Sequence, residues 1–314
     1  MHISAIYIHP IKSLLPISLS ATALTALGFP HDRTFLLIRT PENKGLYIGD
    51  LPQLCLFSVA FSSDSQDAIT VTYTGGGDKL TIPLTPPLGE AVEVDVRNSS
   101  CTGYGVSAAA DEFFTTHLGF PTRLLFLGDS SRKVLGNVAP EQPAAGMPSN
   151  WLGYDVGRQQ EYAITFVDCA PLLVTTSASL EEVGKRVGGE VDMRRFRPNV
   201  VLTPNEGEKV AAWEEDYWGE IEITGDNGTT KIVCTANCAR CTSLNVDFAT
   251  GGYVESEKQP LKSMAKDRRV DPGMKYSPVF GRYAFMLGEG PTTLKVGDHA
   301  CVTKRNAERT EFCE

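Results

Sequence analysis

Three features that would narrow the function are missing from this chain. No stretch comes close to the roughly 18 apolar residues that a membrane-spanning helix needs. Residues 1–8 carry no basic segment followed by a long apolar one, so we expect a β-strand there and no signal peptide. The net charge of −9 lacks the basic excess of a general nucleic-acid-binding protein. We therefore predict no membrane span, no nucleic-acid partner and a cytoplasmic location, with an association with mitochondria left open.

The cysteines also lack the arrangement of a disulfide framework. Such frameworks stabilise small secreted domains. This chain has 314 residues, of which 42% are hydrophobic, and it can bury a core without cross-links. Of its eight cysteines, Cys234, Cys238 and Cys241 lie together and the others are scattered. We expect a reducing compartment and take the cluster as a candidate site.

Short strand patterns outnumber helical ones along the chain. Amphipathic helices are predicted at 107–118 and 179–187, the second with Ser179 and Glu182 at capping-box spacing. The glycine run 75–77 is not followed by Gly-Lys-Ser/Thr, so it predicts a hairpin turn and not a phosphate loop. The predicted strands are 3–10, 35–38, 46–48, 56–61, 68–73, 79–83, 90–96, 198–203, 219–224, 230–235, 283–287 and 299–303.

This pattern predicts a β-dominated α+β fold. Many short strands are commonly buried by closing them into barrels, which leaves no exposed edges. A stretch rich in glycine, proline and serine divides the chain. We predict an N-terminal β-barrel-like domain at 1–125, a linker at 126–150, and a C-terminal β-barrel domain with a few helices at 151–314.

The spacing of Cys234, Cys238 and Cys241 bears on the kind of metal site. A structural zinc site takes four ligands, usually as two separated pairs, and the chain has neither a second Cys-x2-Cys pair nor a histidine near the cluster. The Cys-x3-Cys-x2-Cys spacing matches radical-SAM iron–sulfur enzymes, which carry it near the start of a long α/β barrel. No series of βα units follows Cys241. Both sites are therefore disfavoured.

Two interpretations of the cluster remain open. A single cysteine thiolate suffices for a soft, high-valent metal when a cofactor supplies the other sulfurs. Alternatively, the cluster is a buried inert group or a Cys-x2-Cys dithiol. A thioredoxin-like dithiol would open a helix after a strand, whereas the residues after Cys241 have the pattern of strand and turn.

Six short motifs, in order, resemble those of the MOSC domain family and most closely its amidoxime-reducing members. The resemblance covers nearly the whole chain. Each motif is weak alone, but their order is specific. The motifs are residues 7–13 (YIHPIKS), 32–37 (DRTFLL), 196–201 (FRPNVV), 238–241 (CARC) with 246–251 (VDFATG), 278–283 (PVFGRY) and 294–298 (LKVGD).

The resemblance implies a molybdenum–molybdopterin cofactor with Cys241 as the metal ligand. It also implies which residues surround the pterin and its phosphate. Arginine offers forked donors suited to a phosphate, and converging cations would repel one another without an anion. The implied cofactor-binding residues are Lys12, Ser13, Arg33, Cys169, Ala170, Arg197, Asn199, Ala239, Arg240, Cys241 and Tyr283.

One segment departs from the family pattern. Residues 168–171 (DCAP) stand where the relatives carry small hydroxyl residues, so backbone contacts could persist there while hydroxyl contacts could not. Cys169 is then a hypothetical second thiol near the metal, and Cys238 an alternative ligand. Asp168 is either a catalytic proton relay or a structural carboxylate.

The resemblance also implies a reaction and its partners. It indicates an enzyme, a molybdenum-dependent oxidoreductase that reduces N-hydroxylated substrates such as amidoximes. Cytochrome b5 and NADH-cytochrome b5 reductase would supply the electrons. The alternative is a cofactor carrier or sulfur-transfer protein related to the C-terminal domain of cofactor sulfurases, although we find no room for their pyridoxal-phosphate half. An acidic cytochrome would suit the basic run Lys262, Lys266, Arg268, Arg269 and Lys275.

Overall fold

The computed structural model describes residues 1–62, 66–97, 99–132, 134, 163–226, 228–288 and 291–312. The predicted linker at 126–150 lies largely outside these residues. The α-helices are α1 (Ala108–Leu118), α2 (Ser177–Val187) and α3 (Pro260–Met264). The strands are β1 (His2–Ile8), β2 (Ile17–Leu19), β3 (Ala21–Leu24), β4 (Phe35–Arg39), β5 (Lys44–Gly45), β6 (Phe57–Phe61), β7 (Ala68–Tyr73), β8 (Lys79–Pro83), β9 (Ala91–Asp95), β10 (Ser100–Gly105), β11 (Thr122–Phe126), β12 (Leu172–Thr176), β13 (Val200–Thr203), β14 (Trp218–Gly225), β15 (Gly228–Ala239), β16 (Val246–Asp247), β17 (Gly252–Tyr253), β18 (Val279–Leu287), β19 (Thr292–Lys295) and β20 (His299–Arg305). Within the described ranges, no helix combines the length and the apolar character that crossing a bilayer requires.

Seven strands close into a barrel in the order β13-β12-β18-β15-β14-β20-β1. Strand β1 pairs back to β13, with Ile6 opposite Val200, and β2 pairs with β1 outside the closed ring. This arrangement confirms the predicted β-dominated α+β fold. One strand of the barrel, β1, comes from the first eight residues, which were predicted to belong to a separate N-terminal domain. The domain boundaries stay a prediction.

The core of the barrel contains a buried arginine among apolar side chains. Arg282 of β18 is fully buried, and its guanidinium donates to the carbonyl oxygens of Trp218 and Cys234 at 3.0 and 3.1 Å. It also donates to Asn237 Oδ1 at 2.9 Å. A buried charge is costly unless its donors are satisfied. These contacts therefore fix β14 and β15 against β18.

Gly281 allows β18 to pass close to β12. Its φ of +81° lies in the left-handed region, which glycine adopts without steric cost. A Cβ at this position would lie 2.9 Å from the carbonyl oxygen of Val174. Backbone conformation and close packing thus explain why glycine stands at this position of the 278–283 motif, without any contact to a ligand.

The strands from β4 to β11 form two smaller sheets. One has the order β5-β4-β11-β10-β9, and the other β6-β7-β8. Helix α1 begins after Ser107, whose side chain accepts from the Ala110 N–H, and ends at Gly119 with φ of +79°. This confirms the helix predicted at 107–118. The rings of Phe57 and Phe114 lie 5.3 Å apart, so α1 packs against the three-stranded sheet.

One local strand prediction was wrong. The strand predicted at 46–48 is replaced by the shorter β5, because the backbone turns there and Asp50 N–H bonds to the Tyr47 carbonyl at 2.9 Å. After Cys241, the chain forms a 3₁₀ turn, Thr242–Asn245, before it enters the short β16 strand. Both turns bring loop residues towards the same end of the barrel.

The cap of α2 also differs from the prediction. Thr176 caps the helix by accepting from the Ser179 N–H at 3.1 Å. The hydroxyl of Ser179 instead donates to Glu215 Oε2 at 2.7 Å. Glu215 is fully buried, and its burial, reinforced by the charge of Asp216, raises its pKa to about 7 despite the bond from Ser179. A buried acid thus anchors the start of α2.

Replacing Glu215 by glutamine should flatten the dependence of stability on pH. The folded state raises this pKa, so the protonated carboxyl stabilises the fold at low pH, and that contribution is lost as pH rises through about 7. We expect the free energy of unfolding of the wild type to fall, relative to Glu215→Gln, by about 2–3 kcal/mol between about pH 5 and about pH 8. Urea unfolding at both pH values measures this difference.

Glu181→Gln is the matched control, because Glu181 is exposed on α2, the helix whose start Glu215 anchors. The control should show the pH dependence of the wild type. Parallel pH profiles for all three proteins would contradict the assignment of a near-neutral titration to Glu215.

Candidate functional site

A cleft opens at one end of the barrel. Strand register brings the end of β1 beside the start of β13, with Ile6 opposite Val200. Tyr283 of β18 lies opposite Leu173 on one side and Ala236 on the other. The empty space of the cleft is about 730 Å³ when the solvent at its open mouth is included. Loops from the N-terminal half cover one side of it, so both halves of the chain contribute side chains.

A buried carboxylate organises the floor of this cleft. Asp32 accepts from the His9 backbone N–H at 2.7 Å and from the Asn199 side-chain amide at 3.0 Å, and it pairs with the Arg33 guanidinium. Burial would raise the pKa of Asp32, but Arg33 and His9 outweigh burial and hold it at about 2. Asn199 Oδ1 accepts from Arg33 Nη1 at 3.0 Å. The ionised carboxylate therefore fixes the direction of Arg33.

Four residues that line the cleft have a left-handed backbone. They are Ser13, Arg33, Arg97 and Arg197, with φ of 75°, 49°, 55° and 56°. This conformation costs residues other than glycine about 1–2 kcal/mol each. Such strain persists where neighbouring contacts enforce it, and it tends to gather at functional sites. The shared conformation marks this cleft as the prime candidate site.

Asp168 lies at the mouth between two cations. Its Oδ1 is 2.6 Å from Lys12 Nζ and 3.7 Å from Arg97 Nε. Burial would raise the pKa of Asp168, but Lys12 and then Arg97 hold it well below its usual range. A carboxylate held ionised is a poor proton donor near neutral pH. The geometry thus favours a structural carboxylate, and the catalytic relay at Asp168 stays a prediction.

The three clustered cysteines have different surroundings. Cys234 and Cys238 are buried, and burial raises the pKa of each thiol. Cys238 Sγ accepts from Arg240 Nη1 at 2.9 Å. Cys241 is exposed, with its Sγ 3.2 Å from Ser243 Oγ. Since a metal ligand must be accessible, Cys241 is the best placed of the three.

A metal ion at Cys241 would need further ligands from a cofactor. In the part of the chain that the structure describes, no three His, Cys, Asp or Glu side chains are grouped to hold a metal ion. Cys169 does not line the cleft, and its thiol bonds with Tyr283. Burial raises the pKa of Cys169 to about 12, which disfavours a thiolate there.

Two guanidinium groups of the cleft retain unused donors. Arg197 Nη1 donates to the Leu14 carbonyl at 2.8 Å, but Arg197 Nη2 and Arg240 Nε are buried and have no acceptor among the described residues. Burial, reinforced by the charge of Arg33, lowers the pKa of Arg197 to about 9. Unpaired buried donors and converging cations both cost free energy. An anion such as a pterin phosphate fits this arrangement.

The cleft gathers nearly all of the residues singled out in the sequence. Cys169 is the exception, as described above. Asn199 lines the cleft, but its amide makes four bonds within the protein, to Tyr7, Asp32, Arg33 and Leu173, so it positions Arg33. The predicted residues that line the cleft are Lys12, Ser13, Arg33, Asp168, Ala170, Arg197, Asn199, Ala239, Arg240, Cys241 and Tyr283.

Several residues that line the cleft were not predicted from the sequence. Tyr47, Gly49 and Arg97 come from loops of the N-terminal half, and Ser243 follows the cysteine cluster. Tyr47, Gly49 and Arg97 belong to none of the six motifs. Nothing in the sequence indicated that these loop residues lie around the same cleft as Cys241.

One member of the predicted basic docking run is not on the surface. Arg268 is buried, pairs with Asp216 at 2.7 Å, and stacks 4.3 Å above the ring of Trp213. Its inclusion in a docking surface was therefore wrong, because a buried ion pair is part of the core. Lys266 and Arg269 are exposed.

Comparison with known proteins matches both halves of the chain. A family model described as MOSC domain matches residues 161–300, and one described as MOSC N-terminal beta barrel domain matches residues 1–121. Mitochondrial amidoxime reducing component 2 of Bos taurus is 30% identical over 311 residues, which cover 94% of this chain and 81% of that protein. Mitochondrial amidoxime-reducing component 1 of Homo sapiens is 29% identical over 306 residues, with the same shares covered.

A more distant relative has a different name. Molybdenum cofactor sulfurase of Solanum lycopersicum is 25% identical over 309 residues, which cover 94% of this chain but 35% of that protein. Among solved structures, the YuaD protein of Bacillus subtilis aligns over 95% of this chain and 93% of its own, at 9% identity and a TM-score of 0.30. That score supports no conclusion, and the fold rests on the strand pairing described above.

Gly49→Ala should displace the loop that carries Cys241. The Gly49 carbonyl accepts from the hydroxyls of Thr242 at 2.9 Å and Tyr253 at 2.7 Å. A Cβ on Gly49 would stand 2.8 Å from Thr242 Oγ1 and 3.2 Å from the Ser243 nitrogen. Because the Ser243 nitrogen is backbone, the loop must shift, and overpacking of this kind costs about 1–3 kcal/mol. Urea unfolding and the alkylation rate of Cys241, followed by peptide mass spectrometry, should both change.

Gly189→Ala is the control, because a Cβ at Gly189 meets open space. Its stability should stay within about 0.5 kcal/mol of the wild type. Equal stability of the two variants, with an unchanged alkylation rate of Cys241, would refute the packing argument.

Proposed function

The chain belongs to the MOSC domain family, and on that premise we propose that its cleft binds a molybdenum–molybdopterin cofactor and reduces N-hydroxylated substrates such as amidoximes. One observation carries the proposal. An exposed thiol, Cys241, lies at the mouth of a cleft in which Arg197 and Arg240 keep buried donors that have no acceptor in the part of the chain that the structure describes. A thiolate for the metal and cationic donors for the phosphate are what such a cofactor needs. The names of the bovine and human relatives support the choice of substrate.

The cleft residues divide into three roles in this proposal. Cys241 binds the metal, and the guanidinium groups of Arg33, Arg197 and Arg240 hold the anionic part of the cofactor. When bound, the cofactor supplies the two-electron redox centre for cleavage of the N–O bond. Lys12 Nζ is the group best suited to exchange a proton near neutral pH, since burial lowers its pKa to about 8 despite the opposing charge of Asp168.

We further propose that the electrons come from cytochrome b5 and its NADH-dependent reductase. Among the described residues of the predicted docking run, Lys262, Lys266, Arg269 and Lys275 are exposed. A patch of one charge steers a partner of the opposite charge and raises the rate of association. This role requires a donor with an acidic surface.

The alternative function is a cofactor carrier or sulfur-transfer protein. The observation in its favour is the match of 94% of this chain to 35% of the tomato sulfurase. A carrier would bind the cofactor with the same cations but would not turn over an N-hydroxylated substrate. Turnover therefore separates the two functions, while cofactor binding does not.

Cys241→Ala should abolish reduction of benzamidoxime and lower the molybdenum content. The purified wild type, from a host that makes the cofactor, should contain stoichiometric molybdenum, because Cys241 is the accessible thiol of the cleft. Inductively coupled plasma mass spectrometry measures the metal, and chromatography of benzamidine measures the product. Cys238→Ala should retain molybdenum, since the Cys238 thiol is buried against Arg240.

Cys301→Ala serves as the control, because Cys301 is an exposed thiol on β20. It should match the wild type in metal content and turnover. Iron or zinc in the wild type in place of molybdenum would overturn the cofactor assignment. Molybdenum without any turnover of benzamidoxime would favour the carrier function.

Charge reversal at Lys266 and Arg269 should slow turnover driven by cytochrome b5. Both side chains are exposed, so the double variant Lys266→Glu, Arg269→Glu should fold normally. Loss of electrostatic steering should reduce the cytochrome-dependent rate by about tenfold at low ionic strength. The rate with dithionite and methyl viologen should not change, because a small reductant needs no docking surface.

The control reverses two exposed lysines of the N-terminal half, Lys44 and Lys79. It should retain both rates. If the double variant and the control lose cytochrome-dependent turnover equally, the docking surface lies elsewhere.

A further inference from the structure

Arg97 differs from the other cations of the cleft in its exposure. Its side chain is 47% exposed, whereas Lys12, Arg33 and Arg240 are buried. It comes from the turn between β9 and β10 and lines the same cleft as the cysteine loop. Its backbone φ of +55° places it among the four left-handed residues of the cleft. The turn thus adopts a strained backbone conformation at Arg97, and this conformation places a cation at the entrance of the cleft.

The guanidinium of Arg97 is held in place by its neighbours, but its donors are largely unused among the residues that the structure describes. It stacks on the ring of Tyr47 at 4.4 Å from the centroid. Its Nε lies 3.7 Å from Asp168 Oδ1, which is longer than a hydrogen bond. Asp168 is already bonded to Lys12 Nζ at 2.6 Å. Among the described contacts, Arg97 therefore has an ion-pair partner but no hydrogen-bond acceptor.

Arg97 and Cys241 line the same cleft, and both side chains are exposed to solvent. The inner cations, Arg33 and Arg197, contact each other and the floor of the barrel. A ligand that meets Arg97 therefore enters from solvent, near Cys241, and is distinct from the anion of the inner cleft.

We propose that Arg97, stacked on Tyr47, forms an outer anion subsite that selects substrates carrying a carboxylate. This inference rests on the proposed reductase function and names its preferred substrates as N-hydroxylated compounds with a carboxylate substituent. A guanidinium offers paired donors that match the two oxygens of a planar carboxylate. The aromatic face of Tyr47 keeps that fork oriented, so less freedom is lost on binding. Cationic substituents are disfavoured at the same place by repulsion.

The test compares substrates that differ in charge and share one reacting group. The probes are benzamidoxime, 4-carboxybenzamidoxime and 4-(aminomethyl)benzamidoxime, assayed with the cofactor-loaded wild type and Arg97→Gln. We expect kcat/KM for the carboxylate substrate to fall about tenfold in the variant, mostly through KM, as for loss of one partly exposed charged hydrogen bond. The neutral substrate should keep its rate, and the cationic one should improve.

Two further variants distinguish the effect of the paired guanidinium donors from that of the charge, and from the effect of removing any exposed arginine. Arg97→Lys keeps the charge but loses the paired donors, so it should recover only part of the carboxylate preference. Arg39→Gln is the control, because Arg39 is exposed and also stacks on an aromatic ring, that of Phe120, at 3.9 Å. It should leave all three substrates unchanged.

A binding measurement gives a readout that does not depend on turnover. Isothermal titration of the holoprotein with 4-carboxybenzamidine should show binding that Arg97→Gln weakens about tenfold, while binding of benzamidine stays the same. Molybdenum content should be equal in both proteins. Loss of molybdenum from Arg97→Gln would show that Arg97 holds the cofactor and would overturn the subsite.

The outcomes for the subsite and for the reductase are distinguishable. If benzamidoxime is reduced and Arg97→Gln leaves the preference for charged substrates unchanged, the subsite proposal is wrong and the reductase proposal stands. Binding of 4-carboxybenzamidine that depends on Arg97, without reduction of any amidoxime, removes the reductase and supports the anion subsite.

Discussion

The geometry of the cleft depends on the buried carboxylate of Asp32 and on the groups that bond to it. An ionised group without exposure is stable only with its partners in place, and removal of a partner from such a group costs several kcal/mol. The partners of Asp32 are the backbone of His9 and the side chains of Arg33 and Asn199, which come from three separate segments. The contacts that hold this end of the barrel together therefore also position Arg33.

The cleft also concentrates features that only a ligand would relieve. Several cationic side chains converge on it, and within the described ranges the buried donors of Arg197 and Arg240 find no acceptor. Four of its residues have strained left-handed backbones. Each feature lowers stability on its own. Their coincidence is expected where binding of an anion and positioning of reactive groups have been selected over stability.

The two halves of the chain contribute different parts of this site. The C-terminal half supplies Arg197, Arg240 and the cysteine loop, and the segment between β1 and β4 supplies Lys12 and Arg33. The N-terminal half supplies Tyr47, Gly49 and Arg97 around the mouth. Gly49 is packed so closely against the cysteine loop that the two halves constrain each other. Within the proposed function, the metal ligand comes from the C-terminal half, while the cations that hold the cofactor and exchange protons come from both halves, and substrate choice depends on the N-terminal half.

The sequence by itself determined the β-dominated fold, most of the strands and helix α1, because side-chain alternation and capping residues are local signals. It also identified Lys12, Arg33, Arg197 and Cys241, since these lie in ordered motifs. Only the tertiary structure showed that Arg97 faces the cleft and that Arg268 is buried. The closure of β1 on β13 likewise depends on contacts between residues far apart in the chain. Burial and long-range pairing are set by packing of the whole molecule, and no local pattern encodes them.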